Sequence, residues 1–543
     1  MSTSPHAPPP VVGRPATTGG YLGLVLHAHL PFVRHPEHDD FLEEDWLFEA
    51  ITETYVPLLQ AFYRLRADRV PFRVTMSITP PLAAMLDDAL LRARYRRYLG
   101  KLTALAESEV RGNHESSRLG QIARHYLHRF RSVGGFLDGW ADDLVAAFRE
   151  LQNEGLLEIL ACNATHGFLP LMSGPGPRRA QIRAGVQAYA RTFGRRPRGI
   201  WLAECGYDHG IDALLADEGI DHFFVDSHSI GNGRPHPARG IHAPVRTPAG
   251  PAAFARDLET GRQVWSADEG YPGDPAYREF YRDLGWDASY EYIRPYLHAD
   301  GVRRGVGIKC HRVTGKVALQ DKELYDPGAA EARARDHARN FVFNRKHQMR
   351  FLRPKLDRPP LVIAMYDAEL FGHWWYEGPI FIEEALRAAA EEPEVEAVSP
   401  AEYLARHPDL QLQRPNPSTW GAGGDARVWL NGQVAWLYRY QHWAEQEMAA
   451  LARRFAREGG LTQRALAQAG RELLLMQSSD WAFIVTTGTT APYAVRRFKR
   501  HFQGFRELRQ CLLAGELSES DVSARESRTP IFPDLDVTAW ASG

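Results

Sequence analysis

The feature that most constrains this chain is a recurring unit, a short apolar run that stops on a polar or ionisable residue. Seven such runs are present, at Tyr21–Leu26, Phe72–Ile78, Leu157–Ala161, Gly199–Ala203, His222–Val225, Leu361–Tyr366 and Val395–Val398. Short runs rich in β-branched and aromatic residues mark strands buried on both faces. Helical patterns such as Leu58–Arg66 and Ile211–Glu218 lie between them. Strand alternating with helix predicts βα units and a parallel sheet, hence an α/β fold.

What stands at the strand ends carries the chemistry. His27 and His29 close the first run, Ser77 and Thr79 the second, and Asn163 and His166 follow the third. The fourth, fifth and sixth end at Glu204, Asp226 and Asp367. Polar groups at the carboxyl ends of successive strands are the layout of a barrel active site. Asp, Asn and Ser also cap helices at such places, but His and Glu are not leading caps, and six ends in succession exceed what capping accounts for.

Two connections are too long for plain βα loops. Residues 80–156 hold charged helical sequence (Leu91–Glu107, Leu119–Phe130, Leu137–Gly155), which predicts an inserted helical subdomain at about 85–150. Residues 227–360 are rich in Gly, Pro and aromatics and predict loops over the barrel mouth, with a helix near 329–350. The expected organisation is a disordered tail over 1–19, a catalytic barrel over 20–404 and an α-helical C-terminal domain over 405–518. The helical patterns of that last domain are Val434–Glu458, Leu461–Leu475 and Val495–Leu513, and a polar, loosely held tail follows over 519–543.

Composition excludes several classes. Lys+Arg is 65 and Asp+Glu 67, a net charge of −2, whereas gripping nucleic acid or an anionic membrane needs a basic excess. Residues 1–20 lack the apolar core of a signal peptide, and no stretch is long and apolar enough to span a bilayer. The four cysteines, Cys162, Cys205, Cys310 and Cys511, show no metal-site spacing and fit reduced thiols in a cytoplasm. Thirteen Trp residues are the one compositional hint of a ligand surface. Trp286, Trp374, Trp375, Trp420, Trp429 and Trp436 fall in loops or near element ends, and Trp420 and Trp429 bracket the run Gly421-Ala-Gly-Gly424.

Two constellations admit competing readings. Glu204, in Gly199-Ile-Trp-Leu-Ala-Glu-Cys-Gly-Tyr, and Asp367, in Met365-Tyr-Asp-Ala-Glu, are carboxylates on barrel strands that can face one substrate. Glycoside chemistry needs such a pair; a helix cap and an arginine partner are the structural alternative. His27 and His29 share one strand face and can ligate a metal, with Asp226 or His166 as a third ligand, or instead hydrogen-bond sugar hydroxyls.

Five segments in order resemble the motifs of glycoside hydrolase family 57. They are Tyr21-Leu-Gly-Leu-Val-Leu-His-Ala-His-Leu-Pro, Leu157-Glu-Ile-Leu with Ala164-Thr-His-Gly-Phe-Leu-Pro170, Trp201-Leu-Ala-Glu-Cys-Gly-Tyr, Met365-Tyr-Asp-Ala-Glu-Leu-Phe-Gly-His-Trp-Trp-Tyr-Glu-Gly and Ser478-Ser-Asp-Trp. The similarity runs over roughly residues 20–510 and within the family is greatest to the 1,4-α-glucan branching enzymes. The resemblance implies a (β/α)7 barrel and a retaining mechanism with Glu204 as nucleophile and Asp367 as general acid/base. It implies substrate contacts from His27, His29, Trp46, His166, Trp286, His373, Trp420, Trp429 and Asp480, and from Arg262 and Trp265 in a loop over the acceptor side. It implies no metal and no cofactor, an α-glucan substrate and a monomer or homodimer. Where some relatives carry a second early Trp, this chain has His38-Asp-Asp40. An α-amylase or a 4-α-glucanotransferase on the same barrel is the alternative activity, and a non-catalytic glucan-binding protein the distant one.

Overall fold

A computed structural model describes residues 19–266 and 269–541. The strands are β1 (Gly20–Ala28), β2 (Val74–Ile78), β3 (Leu157–Cys162), β4 (Gly199–Trp201), β5 (His222–Val225), β6 (Val245–Arg246), β7 (Ala252–Ala255), β8 (Leu361–Asp367) and β9 (Val395–Ala397). They form one sheet in the order β6-β7-β5-β4-β3-β2-β1-β8, with β9 beside β1. β1, β2, β3, β4, β5, β7 and β8 run parallel. The sheet curls into a half-barrel, and the N–H of Asp257, just past β7, reaches across to donate to the carbonyl of Ile363 in β8 at 2.9 Å.

Period-two alternation sorts the side chains. Tyr21 and Val25 of β1 pack inside with Leu160, Trp201, Phe224, Phe254, Ile363 and Met365. Leu22, Leu24 and Leu26 face outward and join the larger core under the surrounding helices. His27, Ser77 and Asp367 sit on one rung, since His27 is in register with Ser77 on one side and with Asp367 on the other. Strand register alone therefore delivers three polar groups to one level of the barrel.

Seven parallel strands lie on the main path of the sheet, the number expected, but their membership differs, and β9 runs parallel off that path. Val395–Val398 was expected in the barrel; β9 instead lies beside Gly20–Leu22, at the start of β1, below the point where β2 begins to pair. The remaining parallel strand is β7, Ala252-Ala-Phe-Ala255 inside the presumed mouth loops. Alanine-rich and without β-branched residues, it carries little strand signal and is held by its wholly buried position. The expected helix Leu137–Gly155 is two, broken where Ala141 and Asp142 adopt positive φ and Asp143 caps Leu144–Asn153.

The expected loose tail over 519–543 is also corrected. Ser518 caps a helix over Glu519–Arg528, and Ile531 and Trp540 are buried. Trp540 packs against Gly470 of the helix Gly460–Met476. The tail over 1–19 lies outside the described residues except for Gly19. Among the described residues no helix is long and apolar enough to cross a membrane. Trp540→Ala should destabilise the chain by about 3–5 kcal/mol, the usual loss for a truncated buried Trp, read as a fall in the urea midpoint. An unchanged midpoint would mean that the last segment is a passive appendage.

Candidate active site

The carboxyl ends of the strands open into one cavity of about 1220 Å³. His27, His29, Trp46, His166, Glu204, Trp265, Trp286, Asp367, His373, Trp420, Trp429 and Asp480 all line it. Arg262 does not: it lies in the helix Leu258–Trp265, which occupies part of the presumed acceptor loop, and residues 267 and 268 of that loop are outside the described set. Trp265, at the end of this helix, is 42 % exposed at the cavity wall. Trp429 is buried and stacked on Phe168, with ring centres 4.8 Å apart, so it backs the wall instead of presenting a free face. Its ring also explains Gly421, where a Cβ would come within 2.7 Å of the indole. Trp436 and Trp375 are absent from the cavity wall: Trp436 lies in a C-terminal helix against Phe498, and Trp375 is buried.

Glu204 sits just past β4 with φ 60°, a left-handed conformation that non-glycine residues seldom adopt, and Cys205 and His166 share it. Such conformations cost of order 1–3 kcal/mol each and persist only where surrounding contacts hold them. Here the holding contacts are visible. Trp420 Nε1–H donates to Glu204 Oε2 at 2.9 Å, and its backbone N–H donates to the Glu204 carbonyl at 3.0 Å. Ser479 Oγ–H donates to Glu204 Oε1 at 2.9 Å.

Ser479 continues into a chain of buried groups. Its oxygen lies 2.9 Å from His166 Nδ1, His166 Nε2 lies 2.9 Å from His27 Nε2, and His27 Nδ1 lies 2.6 Å from Ser77 Oγ. An ionised Glu204 can only accept, which fixes every donor behind it. Ser479 gives its proton to Glu204 and accepts from His166 Nδ1–H; His166 Nε2 accepts from His27 Nε2–H; His27 Nδ1 accepts from Ser77. Both histidines are then neutral, in agreement with burial and neighbouring imidazoles holding them well below the usual histidine range. Trp201 stacks on His27 at 4.6 Å and forms the floor.

His29 behaves differently. Burial works against its charge, but Asp480, 3.0 Å from Nε2, pulls its pKa above the ordinary value. Burial likewise opposes ionisation of Asp480, yet His29 holds it down to about 2. His29, His166 and Asp480 lie close enough to hold a metal ion. The ring nitrogens of His166 and the Asp480 carboxylate are, however, already spent on protein hydrogen bonds, so a metal would have to break the chain that reaches Glu204. Asp226, the other candidate third ligand, is turned away and pairs with Arg256 and His228.

Asp367 has the opposite environment from Glu204. Its carboxyl has no hydrogen-bond partner among the described residues. Burial, then the negative charges of Glu369 and Glu204, push its pKa well above the usual carboxylate range. Glu204 is also raised by burial, but Trp420 and Ser479 work against that rise. The site therefore favours a proton on Asp367 and a charge on Glu204. Glu369, two residues on, is occupied: it accepts from Tyr55 O–H and from the His29 backbone N–H.

Sequence reasoning missed the polar wall opposite. Glu53 pairs with Arg278 at 2.6 Å and with His373 at 3.0 Å, on a helix that widens to π form over Ile51–Tyr55. The loop after Asp367 seats on this turn through Gly372, whose φ is +119° and where a Cβ would lie 1.8 Å from the Glu53 carbonyl. No local pattern marks Glu53 or Tyr55, which lie within an amphipathic helix. At the mouth, Trp286, Trp374 and Tyr281 are more than half exposed, and Phe280 stacks on Trp374 at 4.3 Å.

Residues 23–312 match the model of glycosyl hydrolase family 57, and residues 440–540 match the C-terminal region of 1,4-alpha-glucan branching enzymes. A 1,4-alpha-glucan branching enzyme of Thermococcus kodakarensis is 35 % identical, covering 93 % of this chain and 76 % of its own. An alpha-amylase from Thermotoga maritima has a solved structure that superposes with TM-score 0.90 at 42 % identity, over 96 % of this chain and 99 % of that one. The solved branching enzyme of Thermococcus kodakaraensis, in complex with glucose, gives 0.87 at 33 % identity over 97 % of each chain.

The His29–Asp480 pair has a definite pH signature. Asp480 is depressed, so its contribution is complete above the unfolded carboxylate range and is lost as pH falls through about 2. His29 is raised, so its contribution is complete below about 6.5 and is lost as pH rises through the folded value. Asp480→Asn should therefore cost most, of order 3 kcal/mol for a broken buried pair, at about pH 4–6.5, and less in alkaline solution. Histidine ring NMR should show His29 titrating lower in the variant; an unmoved resonance would mean that the pair is not ionic.

Proposed function

The chain belongs to glycoside hydrolase family 57, and from that premise we propose that it is a retaining 1,4-α-glucan branching enzyme in which Glu204 is the nucleophile and Asp367 the general acid/base. The observation that carries the role assignment is the contrast between the two carboxyls of one cavity. Glu204 has its charged form hydrogen-bonded, while Asp367 is unpartnered and biased toward its acid form.

The chemistry follows from that contrast. Asp367 gives its proton to the glycosidic oxygen as Glu204 attacks the anomeric carbon; the C1–O4 bond breaks and a glucosyl ester forms. The shortened chain leaves with the proton. A 6-hydroxyl of another chain then passes its proton to the Asp367 carboxylate and attacks C1, and Glu204 departs. Two inversions leave the anomeric configuration unchanged and create an α-1,6 branch. Hydrogen bonds from Trp420 and Ser479 receive the negative charge that returns to Glu204. The aromatic mouth formed by Trp286, Trp374 and Phe280 is suited to stacking glucosyl faces.

The likeness to an alpha-amylase favours a second reading, hydrolysis with water as acceptor. Incubation with amylose, followed by proton NMR, separates the two. Branching predicts α-1,6 anomeric signals in excess of new reducing ends; reducing ends alone would establish the hydrolase. Glu204→Gln should lower kcat by several orders of magnitude. Asp367→Asn should do so on glucan yet still react with α-glucosyl fluoride, whose leaving group needs no proton, and azide should release the resulting intermediate. If azide rescued Glu204→Gln with retention of anomeric configuration instead, the roles would be exchanged.

Ser479→Ala should leave the nucleophile in place but remove one hydrogen bond from its charged form. A bond to a charged group is worth about 1.5–3 kcal/mol, so the acid limb of kcat/KM should move up by about one to two pH units. An unmoved limb would mean that Ser479 does not act on Glu204.

A further inference from the structure

Branching brings two glucan chains to one anomeric carbon, and the catalytic cavity has a side arm. A second cavity of about 440 Å³ adjoins it between the N-terminal segment around Asp39–Glu49, the inserted helix Ala89–Gly112 and the segment 296–306. The two cavities share four wall residues, Glu49, Tyr98, Leu102 and Gly305, which form a common neck. Resting on the branching reading above, we propose that this arm is the binding site for the acceptor glucan.

The neck has the chemistry for a ligand rich in hydroxyls. Glu49 keeps 39 % of its side-chain surface exposed to the cavities, and its nearest charged partner is His373 Nδ1 at 3.8 Å, beyond hydrogen-bonding distance. Tyr98 lines both cavities, and its hydroxyl has no hydrogen-bond partner among the described residues. Farther into the arm, Arg304 is paired through Nη2 with Asp300 at 2.7 Å, while its Nη1 is buried without a partner. An unmade hydrogen bond at a buried group such as Arg304 Nη1 is costly and calls for a ligand or water to make it, while the half-buried Glu49 and Tyr98 are free to meet a ligand. Sugar hydroxyls, which both donate and accept, suit a carboxyl, a phenol and a guanidinium together. The arm's mixture of ring faces and charged groups at its mouth, including Phe41, Tyr296 and Arg97, is the composition of a small-molecule site.

The arm also opens on the correct side. Glu49 and Glu53 are on consecutive turns of one helical stretch, and the loop carrying Asp367 and His373 seats against it: His373 N–H donates to Thr54 Oγ1 at 3.2 Å. The group that protonates the leaving oxygen and later deprotonates the incoming hydroxyl therefore shares a wall with the neck. Asp39 and Asp40 line this arm and not the catalytic cavity, which adds acceptors for sugar hydroxyls along it.

The test uses full-length protein with Arg304→Leu and, separately, Arg97→Ala, two residues that line the arm alone. With donor amylose saturating and maltohexaose varied as acceptor, the apparent acceptor KM should rise about tenfold in Arg304→Leu, the loss expected for one hydrogen bond to a charged group. Arg97→Ala should move it in the same direction. The ratio of reducing ends to α-1,6 linkages should rise with it, because water then competes better for the intermediate. Maltohexaose titrated calorimetrically into Glu204→Gln should bind at two sites, and into Glu204→Gln with Arg304→Leu at one. An unchanged acceptor KM together with an unchanged stoichiometry, in variants whose melting matches the parent, would overturn the proposal. Wild-type protein that forms no α-1,6 linkage would instead overturn the branching reading, and the calorimetric stoichiometry would still report whether the arm holds glucan.

Discussion

The structure turns on one buried line of hydrogen bonds from Ser77 through His27, His166 and Ser479 to Glu204. Its members come from β2, β1, the segment after β3, the first turn of the C-terminal helix Ser479–Thr487 and the end of β4. Because a carboxylate only accepts, the charge on Glu204 orders the whole line, and the line in turn holds the charge. The cost of burying Glu204 is met in this way without a cationic partner touching it, which suits the bond to carbon that the proposed mechanism asks it to form and break. A protonated Arg or Lys in the same place would hold the charge more tightly and make the carboxylate less reactive.

That line also joins the barrel to the C-terminal helices. Ser479 touches Glu204, and Asp480, one residue on, fixes His29. Gly167 and Ser478 form an isolated bridge between the two regions, and the Ser479 N–H donates to the His166 carbonyl at 3.0 Å. His166, left-handed in backbone and hydrogen-bonded through both ring nitrogens, is the hinge point of this contact. Loosening the C-terminal helices would therefore act on the ionisation of Glu204 as well as on the cavity wall that Asp480 and Phe483 line.

Much of this was legible in the sequence because parallel register is strict. Once Tyr21–Leu26, Phe72–Ile78 and Leu361–Tyr366 are read as neighbouring parallel strands, their ends fall level, and Ser77, His27 and Asp367 are found on one rung. Asp480 and Ser479 were reachable only through the Ser478-Ser-Asp-Trp motif, since nothing local says that a helix start will meet a strand end some 275 residues away. β7 was hidden because Ala252-Ala-Phe-Ala has no strand propensity of its own, and the final segment because polar residues conceal Ile531 and Trp540. Arg262 and Trp429 mark the opposite failure. A motif position can be right while the side chain faces away or lies behind the wall, because a short helix or a stacked ring decides direction, and neither is written in spacing.

The same considerations say where selectivity between water and sugar must reside. In the mechanism proposed above, Asp367, Glu204 and the hydrogen-bonded line serve cleavage and transfer alike, since both pass through the same ester and differ only in which hydroxyl reaches Asp367. The barrel core cannot make that distinction. The walls can, and they are built from segments the barrel does not need: the helix bearing Glu49 and Glu53, the inserted helix bearing Tyr98, and the 280–309 segment bearing Phe280, Trp286 and Lys309. Asp283 ties this last segment together by accepting from the backbone N–H groups of Gly285, Val306 and Gly307, so that Trp286 and Gly305 move as one piece. A wall held this rigidly can present an acceptor hydroxyl at a fixed distance, and water enjoys no such positioning. Transfer then competes through orientation, and changes that loosen the wall should favour water even where every catalytic group is intact.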